Sequence, residues 1–323
     1  MAITTKVTRK VGWKIEGTPG TYDAPSVQFP FTEFGLKQGF DLIEDKSIVG
    51  VAFPDLPLQG VRKVGGPIGG EVDVATIVVI LEAALGAASS KVYSLPVDKN
   101  EKTLTFVSLD AVKANKYAGC VVNNFKLSSK SGAALEFSSD ILGWRAEDRD
   151  ATTDFPSLTT LAGTKLTHLH MGQTNGYFRI GDQVNALVAG DNLANIDSVE
   201  VGHNWNFAES MVNDAGTLQL LSGEGGDPEG DFSFTIARHE SDAFKTYRDD
   251  RTVLQAEILY YASSTAQLKI QIPNLIVESV DDTGDNVTKL PIKCRIARNG
   301  IGQSYSNANM AFVTPIRITV TNS

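Results

Sequence analysis

Residues 123–139 read NNFKLSSKSGAALEFSS, and residues 273–293 read PNLIVESVDDTGDNVTKLPIK. Each stretch sets an Asn before two apolar residues spaced two apart: Asn124, Phe125 and Leu127 in the first, Asn274, Leu275 and Val277 in the second. A Ser follows in both (Ser129, Ser279), then a turn containing Gly, then a second run of alternating apolar residues. A period of two is what a strand with one buried face requires, and a Gly-bearing turn between two such runs signals a hairpin. The same hairpin is therefore expected twice in one chain.

The alternation extends in both directions. Leu104-Phe106 precedes the first hairpin, Leu268-Ile270-Ile272 leads into the second, and Ile316-Ile318-Val320 follows it. Turn signals at Ser131-Gly132, Asn213-Asp214-Ala215-Gly216 and Asp281-Asp282-Thr283-Gly284 separate the runs. Two segments break the pattern. Val74–Leu85 (VATIVVILEAAL) lacks strict alternation and stops at Gly86, which predicts a helix in spite of its β-branched content. Ser241–Arg251 opens on a Ser cap and sets Ala243, Phe244 and Tyr247 on one helical face.

The echo is longer than the hairpin. Gly39 and Gly202 lie 163 positions apart, and Lys46-Ser47 and Glu209-Ser210 keep that offset. Each half then runs through a Gly-rich connection (residues 61–74 and 221–234), a helical segment, strands and the Asn hairpin. The expected architecture is mainly β: two tandem β-sandwich or tube-type domains, each with a flanking helix. Their expected spans are 31–150 and 151–298, with an N-terminal arm over 1–30 and a C-terminal strand or tail over 299–323. A length of 323 residues suits two such domains. The polar stretch Arg145–Gly163 is the expected boundary.

Composition narrows the function. A net charge of −9 argues against a surface that grips nucleic acid or anionic membrane, since phosphate contacts need clustered Lys and Arg. The opening MAITTKVTRKVGWKIEG lacks the apolar core of a secretion signal. The apolar run Val74–Ala88 contains Glu82 and is too short to span a bilayer. Two cysteines, Cys120 and Cys294, read as reduced core residues, which points to folding in a cytoplasm.

No motif speaks for chemistry. The Gly-rich segments match neither GxGxxG before a helix nor a P-loop, and Glu224, Asp227, Glu229 and Asp231 would repel phosphate. The acidic stretches 224–231 and 281–286 lack the spacing of a calcium loop. His168-Leu169-His170 is expected to put two imidazoles on one face of a strand, without the Cys or carboxylate partners of a metal site. There is no GxSxG and no framed carboxylate pair. The expectation is no catalytic residue, no cofactor and no metal. Asn286-Val287-Thr288 matches a glycosylation acceptor, which is meaningless without secretion.

VGWKIEGTPGTYDAP (residues 11–25), through Glu16, Gly17, Gly20, Thr21 and Pro25, resembles the opening of tailed-phage major tail tube proteins. GGPIGGEVDVATIVVILEAALGAA (residues 65–88) resembles the same family's passage from long loop through strand to helix. The resemblance implies a structural virion protein that self-assembles into stacked rings, an acidic conduit through which DNA passes without specific binding or membrane insertion. It implies inter-ring loops at Asp45–Gly70 and Glu209–Gly230, with Asp45, Arg62, Lys63, Glu209, Glu224, Asp227 and Glu229 as candidate contacts. It also implies N- and C-terminal extensions that clasp neighbours. The partners implied are further copies of the chain, tape-measure proteins and tail-terminator or tail-tip proteins. The setting implied is the virion tail, assembled in a bacterial host's cytoplasm.

Two units per chain imply trimeric rings with pseudo-sixfold symmetry, with hexameric rings as the rival. The alternative function is a β-sandwich adhesin or carbohydrate-binding module, which would need Trp13, Trp144 or Trp205 as an exposed platform. A hydrolase with paired carboxylates is the third possibility.

Overall fold

The computed structural model describes residues 9–43, 58–86, 90–94, 102–109, 113–151, 155–171, 175–207, 210–214, 217–221, 229–237, 242–281, 289–297, 310 and 314–322. The first half of the chain contains β1 (Lys10–Ile15), β2 (Val27–Gln28), β3 (Glu33–Phe34), β4 (Lys37–Ile43), β5 (Leu58–Glu71) and helix α1 (Ile77–Leu85). After these come β6 (Val92–Ser94), β7 (Leu104–Leu109), β8 (Lys113–Val122), β9 (Asn124–Lys130), β10 (Glu136–Gly143) and β11 (Arg145–Ala151). The second half opens with a helical turn α2 (His168–Met171), β12 (Tyr177–Asp182) and β13 (Ile196–Asn204). It continues with β14 (Ser210–Asp214), β15 (Thr217–Leu221), β16 (Glu229–Ile236) and α3 (Ala243–Asp249). It closes with β17 (Val253–Ser263), β18 (Ala266–Val280), β19 (Leu290–Ile296) and β20 (Arg317–Asn322).

The chain is mainly β and antiparallel, as its alternation predicts. In the first half one layer runs β1-β7-β8-β11 and a second runs β4-β5-β10-β9. In the second half β12-β17-β18-β20 and β13-β16-β19-β18 repeat both orders, neighbour for neighbour. Gly39 and Gly202 fall on β4 and β13, which open the second layer in each half. One segment serves both layers each time. In the first half it breaks at Asn123 between β8 and β9. In the second it stays continuous through a register shift around Pro273, where a residue without an N–H cannot donate to the ladder.

Both expected hairpins form. Phe137 faces Leu127 across the first, and Cys294 faces Val277 across the second. The Ser echo does not survive. A bulge between Val277 and Ser279 turns Ser279 toward exposed Lys293, whereas Ser129 points into the core.

Both expected helices form as well. In α1 the buried residues Ile77, Ile80, Leu81, Ala84 and Leu85 recur at helical spacing, so tertiary burial overrides β-branched propensity. In α3 Phe244 is buried and packs edge-on against Phe234 at 5.3 Å. The expected Ser241 cap lies outside the described residues.

Four expectations are corrected. The Gly-rich segment expected as a flexible loop is strand β5 from Leu58 onward. Its glycines let other backbone pass close by: a Cβ on Gly66, at φ +149°, would lie 2.3 Å from the Gly35 carbonyl, and one on Gly70 would lie 2.6 Å from that of Pro30. From Lys10 onward the expected N-terminal arm is built into the chain's own core, where Trp13 stacks on Phe29 at 4.3 Å. The C-terminal strand or tail expected to clasp a neighbour ends in β20, which pairs within its own chain, with β18 and with β6 of the first half. The polar boundary segment begins as a strand, β11, because pairing with β8 satisfies its backbone.

Glu16 explains the N-terminal motif. It is buried and accepts hydrogen bonds from the Gly20 and Gly119 amides (2.7 Å each) and the Thr103 and Thr105 hydroxyls (2.6 and 2.8 Å). One carboxylate thus folds the first turn onto β7 and β8, which offsets its own desolvation.

Candidate assembly interface

The halves meet along a strand seam. β9 pairs with β13 over seven residues, from Lys130 opposite Ser198 to Asn124 opposite Asn204. The result is one continuous sheet of eight strands, β4-β5-β10-β9-β13-β16-β19-β18. Alternation gives the seam a dry face, formed by Phe125 and Leu127 on β9 and Val199, Val201 and His203 on β13. Lys126 and Glu200 lie on the other face and pair at 2.7 Å.

A buried hydrogen-bond chain locks the dry side. Ser129 Oγ lies 2.8 Å from the Tyr260 hydroxyl and 3.0 Å from His168 Nδ1, and His168 Nε2 lies 2.9 Å from the Ile196 carbonyl. The carbonyl can only accept, so Nε2–H donates to it. In the neutral imidazole Nδ1 accepts from Ser129, whose oxygen in turn accepts from Tyr260. β9, β17, the segment between the halves and β13 are thereby joined through three side chains. At the far end the Trp205 amide donates to the Asn123 carbonyl at 2.8 Å, and its indole N–H donates to Ala84 at the end of α1 at 3.2 Å. His203 packs edge-on against Trp205 at 4.6 Å, and among the described residues neither of its ring nitrogens has a hydrogen-bond partner. Burial lowers its pKa to about 4. A contact to the Glu229 backbone outside hydrogen-bonding geometry opposes this only in part, so the ring is neutral at pH 7.

Among the described residues the two ends of the eight-stranded sheet are open. β4 pairs with β5 on one side and with no described strand on the other. Residues 277–280 of β18 have β19 on one side and no described strand on the other. Unpaired strand edges invite pairing with another chain.

Of the tandem-hairpin residues, Asn124, Phe125 and Leu127 lie on the seam strand β9, and Asn274, Leu275 and Val277 lie on β18, where Val277 begins the stretch without a second described neighbour. Arg62 and Lys63 belong to β5, opposite Phe40 and Gly39, and Glu229 opens β16. Asp45, Glu209, Glu224 and Asp227 lie outside the described residues. β14 and β15 pair antiparallel, from Ser210 opposite Leu221 to Asp214 opposite Thr217; Ala215 and Gly216 of the expected turn lie outside the described residues.

The expected surface His pair on a strand is also corrected. His168 begins a helical turn and is buried in the seam, because Ser129 and the Ile196 carbonyl both claim its ring. Among the described residues no group of three His, Cys, Asp or Glu could hold a metal, and no helix is long and apolar enough to cross a membrane. Cys120 and Cys294 are free and buried. Burial pushes the Cys294 thiol up to about 12, and neighbouring Glu278 adds to the shift. A 320 Å³ cleft holds Glu71 and Asp73, but Lys165 pairs with Glu71 and the Ala75 amide donates to Asp73 at 2.8 Å.

No curated protein matches the chain. The family described as phage tail tube protein matches residues 7–286, nearly the whole of the mainly β fold described above. With that match, two open strand edges and a core-building N-terminal motif in place, the chain belongs to the phage tail tube proteins, structural components of the virion tail.

Proposed function

We propose that the chain holds two copies of one sheet-bearing unit, residues 31–150 together with β1 and residues 151–298 together with β20, and that three chains close into a ring of pseudo-sixfold symmetry. The observation that carries this reading is the β9–β13 seam. It joins the strand that ends the first unit's layer to the strand that opens the second's. β18 ends the second layer and β4 opens the first, so the same junction made between copies continues the sheet head to tail until it closes. Closure uses both edges of that sheet.

Strand spacing separates three chains from six. At about 4.8 Å per strand, three chains of eight strands give a circumference of about 115 Å and a diameter of about 37 Å before strand tilt widens it. That holds a DNA duplex and the side chains of the wall. Six chains give about 73 Å, far wider than a duplex needs.

The solvent-facing side of the sheet becomes the inner wall. It carries Glu136, Asp140, Glu200, Glu229, Asp231 and Glu278 against Lys37, Lys126, Lys130, Lys293 and Arg295, all on strands of that sheet. A mixed wall with an acidic excess offers phosphate no basic track, so DNA slides through without specific binding. Rings stack into the tube through segments 44–57 and 209–228, where Asp45, Glu209, Glu224 and Asp227 lie. Tape-measure proteins and tail-terminator or tail-tip proteins set its length and ends, and assembly takes place in the bacterial host's cytoplasm. The adhesin reading is disfavoured because Trp13 and Trp205 are in the core and Trp144 packs against Gly20 and Gly119.

Native mass spectrometry of the purified chain, with negative-stain microscopy, tests the reading. The smallest closed species is expected to have the mass of three chains. Monomers at every salt and concentration, or a six-chain ring, would sink it.

A further inference from the structure

Resting on the three-chain ring, we propose that its two kinds of seam carry opposite charge polarity, so that β18 of one copy accepts only β4 of another. In the seam inside the chain the strand that ends a unit is basic and the strand that opens the next is acidic. β9 presents Lys126 and Lys130 on its wet face, and Glu200 of β13 answers with the 2.7 Å pair. On the open edges the signs are exchanged. The free end of β18 presents Glu278, followed by exposed Asp281; β4 carries Lys37 and Asp41, and of these Lys37 is the one whose side chain is described, and it is exposed. Lys37 lies opposite Gly65, which lies opposite Leu142 on the row beside Asp140, so it shares the wet face with Lys126. Glu278 is on that face too, with its carboxylate 3.6 Å from Lys293 Nζ.

Exchanged polarity discriminates between seams that share one backbone geometry. The right seam between copies sets Glu278 near Lys37. The wrong seams set like charges together: β9 against β4 opposes Lys126 and Lys130 to Lys37, and β18 against β13 opposes Glu278 to Glu200. Opposite charges across a strand pair stabilise and like charges destabilise by similar amounts, and repulsion in the wrong complex is an effective source of specificity. The partner is thus a second copy of this chain, entering through β4 alone. A foreign second half displacing a chain's own is disfavoured, so each chain adds two units in fixed order.

The test uses full-length chains at low ionic strength, where exposed charges are least screened. Lys37→Glu is expected to weaken ring formation roughly fivefold per seam, on the order of a hundredfold over three seams, with the thermal unfolding of the monomer unchanged. A swapped chain carries Lys37→Glu, Glu278→Lys and Lys293→Glu, the last keeping the hairpin pair of opposite sign. It is expected to regain rings. Wild-type and isotope-labelled swapped chains, mixed as monomers, are expected to sort into unmixed rings in native mass spectra. Rings of binomial composition, or Lys37→Glu rings as stable as wild type, would overturn the polarity while leaving the ring intact. Absence of any wild-type ring would overturn the ring and the seam assignment together.

Discussion

β9 and the end of β18 occupy the same place in their layers, and the difference between them separates what folds the chain from what joins chains. β9 is NFKLSSK and is paired on both edges; the matching stretch of β18 is NLIVESV and is paired fully on one. Behind β9, Ser129 reaches Tyr260 and His168, and Trp205 closes over the end of α1. Behind β18 the bulge turns Ser279 outward, and the side-chain lock there, Gln183 donating to Asn274 and to the Pro273 carbonyl, ties β18 to its own half and to no other. A buried polar chain is rigid and specific only when every member is satisfied, which suits a junction made once during folding. An edge that must wait for another copy keeps its specificity on the surface, in charges that water tolerates meanwhile.

Trp205 is where a substitution is expected to cost the chain most. Trp205→Ala removes a 5% exposed indole from between β13 and α1 and leaves the Ala84 carbonyl without its donor. A loss of about 3 to 5 kcal/mol in chain stability is expected from denaturant melts. Lys37→Glu on the open edge is expected to stay within about 0.5 kcal/mol in the same melts. Equal losses from the two would mean that the open edge is part of the folded core and not a waiting interface.

Both hairpins and both helices were legible because their signals are local: alternation, a Gly in the turn, an i, i+3, i+4 stripe. The seam was not. Ser129 lies 39 residues from His168 and 131 from Tyr260, and nothing in any one segment shows that the three converge. His168 drew attention as half of an His-x-His pair, and its real role depends on a carbonyl from β13. β5 was misread for the opposite reason. Glycine normally weakens a strand, but here it admits the passing backbone of residues 30–35, a contact no periodicity reveals. Glu16 was noticed as a family marker, yet its four donors come from residues up to 103 positions away.

His203 belongs to the closed seam alone, and its protonation reports on that seam. Its folded pKa, about 4, lies below the ordinary histidine value of 6.5, so the unfolded chain takes up the proton first as pH falls. The seam is therefore undisturbed at pH 7.5 and loses stability as pH drops from about 6.5 toward 4. In His203→Phe this contribution is absent, and because the ring nitrogens have no partners among the described residues the change leaves no hydrogen bond broken there. Between pH 7.5 and 4.5 the wild type is expected to lose about 2 to 3 kcal/mol more than the variant. Carboxylates common to both chains cancel in the difference, so parallel pH profiles would show that the imidazole is solvated.

The smallest effect is expected at the wet face of the same seam. Lys126 and Glu200 have side chains 44% and 42% exposed, so their 2.7 Å pair is screened and entropically expensive to hold. A double-mutant cycle with Lys126→Ala and Glu200→Ala is expected to give a coupling of about 0.2 to 1 kcal/mol in chain stability, fading as salt rises. The parallel cycle on Lys37 and Glu278 is expected to show no coupling in the stability of the isolated chain, because there the two residues lie on separate open edges. It is expected to show coupling in the ring constant. The same kind of pair thus reports on folding at one seam and on assembly at the other. A coupling between Lys37 and Glu278 in dilute monomer would place the two edges together within one chain and leave no edge for a neighbour.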